Sequence, residues 1–183
     1  MAKPAIQLHP AISLFEASPN ARTLALNSDL YCEIAEFLYR EADLMDRHEY
    51  QQWEYLWCDD ALYWLPSNAE DINPDHAVSI IYEHRHQISD RVFRLTDKRM
   101  HSQAPKSRLM RVLSDLRVTL EADGNVIAQS NFVLGEMRNG QQDVLFGHST
   151  HRLVQRDGNW AIRAKKVFLL NNDAPMRNVT YLL

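Results

Sequence analysis

Three dipeptides, Asp123-Gly124, Asn139-Gly140 and Asp157-Gly158, constrain this chain more than any other feature. Asn, Asp and Gly accept positive φ at little cost, so at hairpin-length intervals these pairs mark tight reversals between antiparallel strands. The residues between them alternate. From Met110 the even positions Val112, Leu116, Val118 and Leu120 are apolar, with Ser114 the exception, while the odd positions include Arg111, Asp115, Arg117 and Thr119. Strict alternation predicts a half-buried strand whose even positions face inward. Four long strands are expected, over 108–121, 126–137, 142–155 and 160–170, forming a meander that takes up the second half of the chain.

The first half has a different period. After Ser28 or Asp29, either a good N-cap, the residues Leu30, Ile34, Phe37, Leu38 and Leu44/Met45 recur at helical spacing, with Glu41 the one polar exception on that face. A shorter helix is expected where Tyr50, Trp53 and Trp57 share a face, ending at Cys58-Asp59-Asp60. Ala61–Leu65, stopped by Pro66, has strand composition, as does Ala77–Tyr82. A third helix would then be lined by His84, Ile88, Val92 and Leu95. Helices first and a meander second predict an α+β domain in which a curved antiparallel sheet wraps the helices into a cone with an open mouth. Residues 1–28 read as an N-terminal extension and 29–183 as one domain.

Composition narrows the function. Lys plus Arg number 20 against 24 Asp plus Glu, a formal charge of −4, which supplies no general attraction for phosphate backbones, so nucleic acid is not an expected partner. Cys32 and Cys58 stand alone in patterns that read as amphipathic helix. Four ligands are needed for an iron–sulfur cluster, so no cofactor or metal is expected in this chain. All five glycines lie in the last third, which excludes a dinucleotide fingerprint or P-loop. Pro4, Gln7, His9 and Pro10 interrupt the start, so it does not read as a signal peptide, and no apolar run is long enough to span a bilayer. No membrane association and a reducing, cytoplasmic location are expected.

Some side chains invite chemistry. His84 and His86 diverge on a helix, and His148 and His151 fall on opposite faces of a strand, so neither pair chelates a metal. His84 alone, on the apolar side with Ile88, reads as a hydrogen-bonded core histidine or a pocket group. Asp59, beside the Tyr63-Trp64 strand, would serve as a general base if buried, and with Tyr50 and His84 it would form the acid/base set of a small cone-shaped dehydratase or isomerase. A turn aspartate is the commoner role, and a ligand-binding module without chemistry is a further alternative. Lys98, Arg99, Lys106, Arg108 and Arg111 form a basic stretch suited to solvent or to an acidic partner surface. Val167, Phe168, Leu169 and Leu170 make both faces of the last strand apolar, and Tyr181 and Leu182 continue this in the tail, so these six are expected at an interface.

Several segments, in order, resemble one family. They are Phe37–Ala42 with Leu44-Met45-Asp46, Asp59–Pro66, Asp90–Leu95, Pro105–Arg108, Ser130-Asn131-Phe132 and Lys165–Leu169. Together, over about residues 29–183, they resemble the small (beta) subunit of Rieske non-haem iron aromatic-ring-hydroxylating dioxygenases. Ser79–Tyr82, Ala164–Val167 and Asn172-Asp173 are most similar to the benzoate, toluate and anthranilate branch. Gly147-His148 departs from that pattern, since many relatives have Gly-Arg there. The resemblance implies a nuclear transport factor 2-like (cystatin-like) cone and a scaffold role without catalytic residues. It also implies a large (alpha) subunit carrying the Rieske 2Fe-2S cluster and the mononuclear iron. The small subunit would associate as a homotrimer and join three large subunits in a mixed hexamer.

Overall fold

The computed structural model describes residues 9–68, 73–97, 104–175 and 179–183. In chain order it contains α1 (Pro10–Ser13), β1 (Arg22–Thr23), α2 (Asp29–Asp46), α3 (Tyr50–Glu54), β2 (Trp57–Pro66), β3 (Ser79–His84), α4 (Arg85–Thr96), β4 (Arg108–Leu120), β5 (Val126–Arg138), β6 (Gln141–Arg156) and β7 (Asn159–Leu169). Seven strands form one sheet in the order β1-β4-β5-β6-β7-β2-β3. The meander is as expected, within a residue at each end. Asn139 and Gly140, and Asp157 and Gly158, all take positive φ, which lets Arg138 pair with Gln141 and Arg156 with Asn159 across two-residue turns.

The sheet is mixed rather than wholly antiparallel, because β2 runs parallel to β7. Its other strand pairs are antiparallel. The second helix is shorter than its aromatic spacing implied. Trp57, Cys58, Asp59 and Asp60 already belong to β2, so Cys58 is a buried strand residue and only Cys32 lies on a helix. Trp53, Trp57 and Tyr63 still cluster, at ring separations of 5.1 to 6.0 Å, since a helix end and the strand that follows it bring the same rings together.

α2 lies across the sheet. Ser28 Oγ caps it by accepting from Tyr31 N, and its face of Ile34, Leu38, Glu41, Ala42, Leu44 and Met45 is buried. At its far end Asp46 accepts from Arg111 N at 2.7 Å and lies 3.3 Å from Arg111 Nη1. The β4 alternation reverses midway. A bulge between Ser114 and Arg117, with Asp115 at φ 50°, turns the earlier odd positions inward. Arg111 therefore enters the cone, while Met110 and Val112, expected inside, face out.

The N-terminal segment packs against the sheet. Ala11, Ile12 and Phe15 cover Leu62, Trp64 and Ala164 of β2 and β7, and Lys166 Nζ sits 5.1 Å over the Phe15 ring and 5.3 Å over Trp64. Arg152 pins this strap, donating to the Leu14 and Glu16 carbonyls and to Glu121. At the sheet centre, a Cβ on Gly147 would lie 2.5 Å from the Phe168 carbonyl oxygen and 2.8 Å from the Phe132 ring. Gly147→Ala is expected to cost about 1–3 kcal/mol, read as a lower chemical-denaturation midpoint at unchanged slope.

Candidate functional site

The structure does not assemble the expected acid/base set. Tyr50 is buried, and its hydroxyl donates to His48 Nδ1 at 2.7 Å while His48 Nε2 donates to the Ser107 carbonyl at 2.8 Å. Burial pushes the Tyr50 phenol well above its ordinary value, so it remains a protonated structural donor. Asp59 is exposed, because the irregular pairing of β2 with β7 between Trp57 and Leu62 turns Asp59 and Asp60 to solvent, where Asp60 pairs with Arg163. His84 is exposed too. It ends β3 and caps α4 instead of lining it, its backbone N–H donating to Gln87 Oε1. Of the basic stretch, Lys106 and Arg108 are exposed, Arg111 is inside the cone, and Lys98 and Arg99 lie outside the described residues.

The cone interior instead holds a polar cluster that the sequence reading left unassembled. Glu41, the polar exception on α2, accepts from Lys165 Nζ at 2.7 Å and from Trp53 Nε1 at 3.2 Å on one oxygen. Its other oxygen accepts from His151 Nε2 at 2.9 Å. All three charged or titratable side chains are buried. Burial alone would raise the Glu41 carboxyl, but Lys165 and His151 outweigh it and hold the group well below the usual carboxylate range. Burial disfavours the charged form of His151 and lowers it from its ordinary value, against the opposing pull of the Glu41 carboxylate. His151 Nδ1 is buried without a hydrogen-bond partner. Ser130 and Ser149 share a hydrogen bond of 3.2 Å on the same wall. The clue in the sequence was an acid on an apolar helix face and a lysine in an apolar strand. His148 and His151 lie on opposite faces of β6, as expected; His148 is exposed and His151 buried.

Of the six residues expected at an interface, Val167, Leu169, Tyr181 and Leu182 belong to the chain's own core. β7 is an interior strand with one face on that core, and the tail folds back inside, where Tyr63 Oη donates to the Leu183 main-chain oxygen and Arg111 donates to the Leu182 carbonyl. Phe168 and Leu170 remain on the outside, Leu170 at 76% exposure. They join a larger patch. Met110, Gly135 and Val144 are neighbours across three strands, as are Val112, Val133 and Phe146, and the Leu170 N–H donates to the Phe146 carbonyl. Met110, Val112, Val133, Val144 and Phe146 are all exposed. The strap covers the β2–β7 part of the sheet and leaves this β4–β6 part bare.

Among the described residues no group of three or more His, Cys, Asp or Glu is placed to hold a metal ion, and no helix is long and apolar enough to cross a membrane.

The p-cumate 2,3-dioxygenase small oxygenase component of Pseudomonas putida is 30% identical over 139 residues, 75% of this chain and 77% of that protein. The anthranilate 1,2-dioxygenase small subunit of Acinetobacter baylyi is 27% identical over 152 residues, 80% of this chain and 93% of that protein. In structure, the chain is similar to the beta subunit of benzoate 1,2-dioxygenase from Burkholderia mallei, with a TM-score of 0.70 and 22% identity over 87% of this chain and 100% of that one. The fold is thus the nuclear transport factor 2-like cone that the resemblance implied. The family described as the ring hydroxylating beta subunit matches residues 40–175, more than half of the chain, and the chain belongs to that family.

Proposed function

We propose that this chain is the non-catalytic scaffold subunit of a cytoplasmic dioxygenase that dihydroxylates a benzoate-like aromatic acid. Three copies associate with one another and with three large subunits that hold the Rieske cluster and the mononuclear iron. The bare apolar patch on β4–β6 carries this reading. A monomer leaves such a surface to water at a cost, whereas a subunit buries it against a neighbour, and the same sheet is already covered by the strap on its other half. The relatives' names support the substrate class, since they include small subunits of anthranilate, toluate and benzoate dioxygenases.

The experiment is reconstitution. The purified chain is expected to show no turnover of benzoate, and activity is expected only with a Rieske-bearing large subunit and an electron-transfer chain. Asp59→Asn and His84→Ala are expected to leave that reconstituted rate unchanged, because both side chains face solvent. Turnover by the chain alone, lost in either variant, would overturn the reading in favour of a free-standing cone enzyme.

A further inference from the structure

The outer face of the sheet carries two adjoining areas, one under the strap and one bare. Alternate residues of a strand share a face, so Ala164 and Lys166 beneath the strap lead straight into Phe168 and Leu170 of the bare patch. On β2 the covered residues are Leu62 and Trp64, at 2% and 0% exposure. What lies on them is Ala11, Ile12 and Phe15, which form with them a cluster separate from the main core. The strap, residues 9–16, is held at both ends by polar contacts. His9 Nε2 lies 3.1 Å from Asp75, and at the other end Arg152 donates to the Leu14 and Glu16 carbonyls while Ser18 N donates to Glu121 at 3.1 Å. Ser13 and Ala17 turn to solvent, and the segment 16–20 that leads to β1 is exposed throughout. The strap also lies outside residues 40–175, the part of the chain that the family matches.

We propose that the strap blocks a second self-association surface: it occupies the β2–β7 part of the outer face, where another copy of this chain would otherwise dock. An uncovered apolar sheet face packs against another such face, and a second copy presents the same strip of Leu62, Trp64 and Ala164. A molecule with two non-equivalent apolar patches binds one neighbour through each, and such head-to-tail contacts run on into open filaments unless their rotation closes. Covering one patch from within leaves β4–β6 to set the stoichiometry. The strap wins this competition because it is tethered. Through a linker as short as residues 16–20 it meets its face at an effective concentration on the order of millimolar, whereas a free copy competes at its own micromolar concentration. The blocking role does not depend on the β4–β6 patch being an interface.

The test uses the full chain carrying Ile12→Asp/Phe15→Asp, which puts two charges on the buried side of the strap, with Ala17→Asp on its exposed side as the control. Each is made in the wild-type chain and again with Met110→Lys/Phe146→Lys, which removes the β4–β6 patch from the outcome. In sedimentation equilibrium at tens of micromolar, the strap variant is expected to show at least about twice the weight-average mass of its parent in both backgrounds. Ala17→Asp is expected to match its parent. Adding Leu62→Lys to the strap variant sets a charge within the uncovered face and should return the mass to the parental value. Circular dichroism checks the fold. Should the aspartate variant fail to fold, Ile12→Ala/Phe15→Ala loosens the same contact without a charge and is read by the same criteria. An unchanged mass in the strap variant, association that Leu62→Lys does not reverse, association that disappears in the lysine background, or equal association in Ala17→Asp would each overturn the proposal.

Discussion

Glu41→Leu is expected to destabilise the protein by about 3–5 kcal/mol, because it leaves Lys165 buried without its counter-ion and removes the acceptor from His151 and Trp53. For a chain of this size that corresponds to a thermal midpoint lower by on the order of 10 °C. The double variant Glu41→Leu/Lys165→Met should recover at least half of the loss, since a buried ion pair replaced by apolar groups of similar volume is close to neutral. The same cluster sets the sign of the acid limb. The folded-state pKa of Glu41 lies below its ordinary value of 4.5, so its contribution is complete above about pH 4.5 and is lost as pH falls toward the folded value. His151 is also held below its ordinary value of 6.5, by burial. The unfolded chain therefore takes up that proton first, and stability begins to fall as pH drops below about 6.5. Urea denaturation across pH 3 to 8 checks both limbs. In Glu41→Leu the loss below about pH 4.5 should flatten, and a change under 1 kcal/mol at pH 7 would contradict the assignment.

The second large effect concerns assembly. Met110→Lys/Phe146→Lys places two charges on the bare sheet face without setting them directly opposite each other, as Met110 pairs with Gly135 and Phe146 with Val133. Both side chains are exposed in the free chain, so its stability should change by less than about 1 kcal/mol. If this patch is an interface core, two central apolar anchors lost to charge should weaken association at least about 100-fold. Val78→Lys, equally exposed but on the loop before β3, should leave association unchanged. Analytical ultracentrifugation of the three proteins separates these outcomes, and wild-type association by the double lysine variant would exclude this face.

The contrast between the two halves of the chain shows which physical signals sequence carries. The meander was legible because alternation and positive-φ turn residues are local properties, and each hairpin closes within its own neighbours. The end of α3 was not, since the i, i+4 spacing of Trp53 and Trp57 is satisfied equally by a helix and by a helix that gives way to a strand. The face of early β4 was missed for a different reason. A single bulge residue, Asp115, shifts the register by one and exchanges inside for outside, and an aspartate in an alternating run does not announce it. That one residue decides two structural features, the inward Arg111 and the outward Met110 and Val112. The interior cluster draws Glu41 from α2, His151 from β6 and Lys165 from β7, so it exists only once the sheet is closed over the helix. Likewise Tyr181 and Leu182, expected at an interface, are buried in the chain's own core, where Tyr63 and Arg111 reach their backbone neighbourhood from β2 and β4.

The central claim is that this chain is a scaffold that works only in a mixed assembly. Native mass spectrometry of the chain co-expressed with a Rieske-bearing large subunit tests it most directly. The account predicts a complex of three large and three small subunits, with all iron and labile sulfide leaving with the large subunit on dissociation. A small chain that stays monomeric at tens of micromolar and is recovered unbound beside an intact large subunit would contradict it.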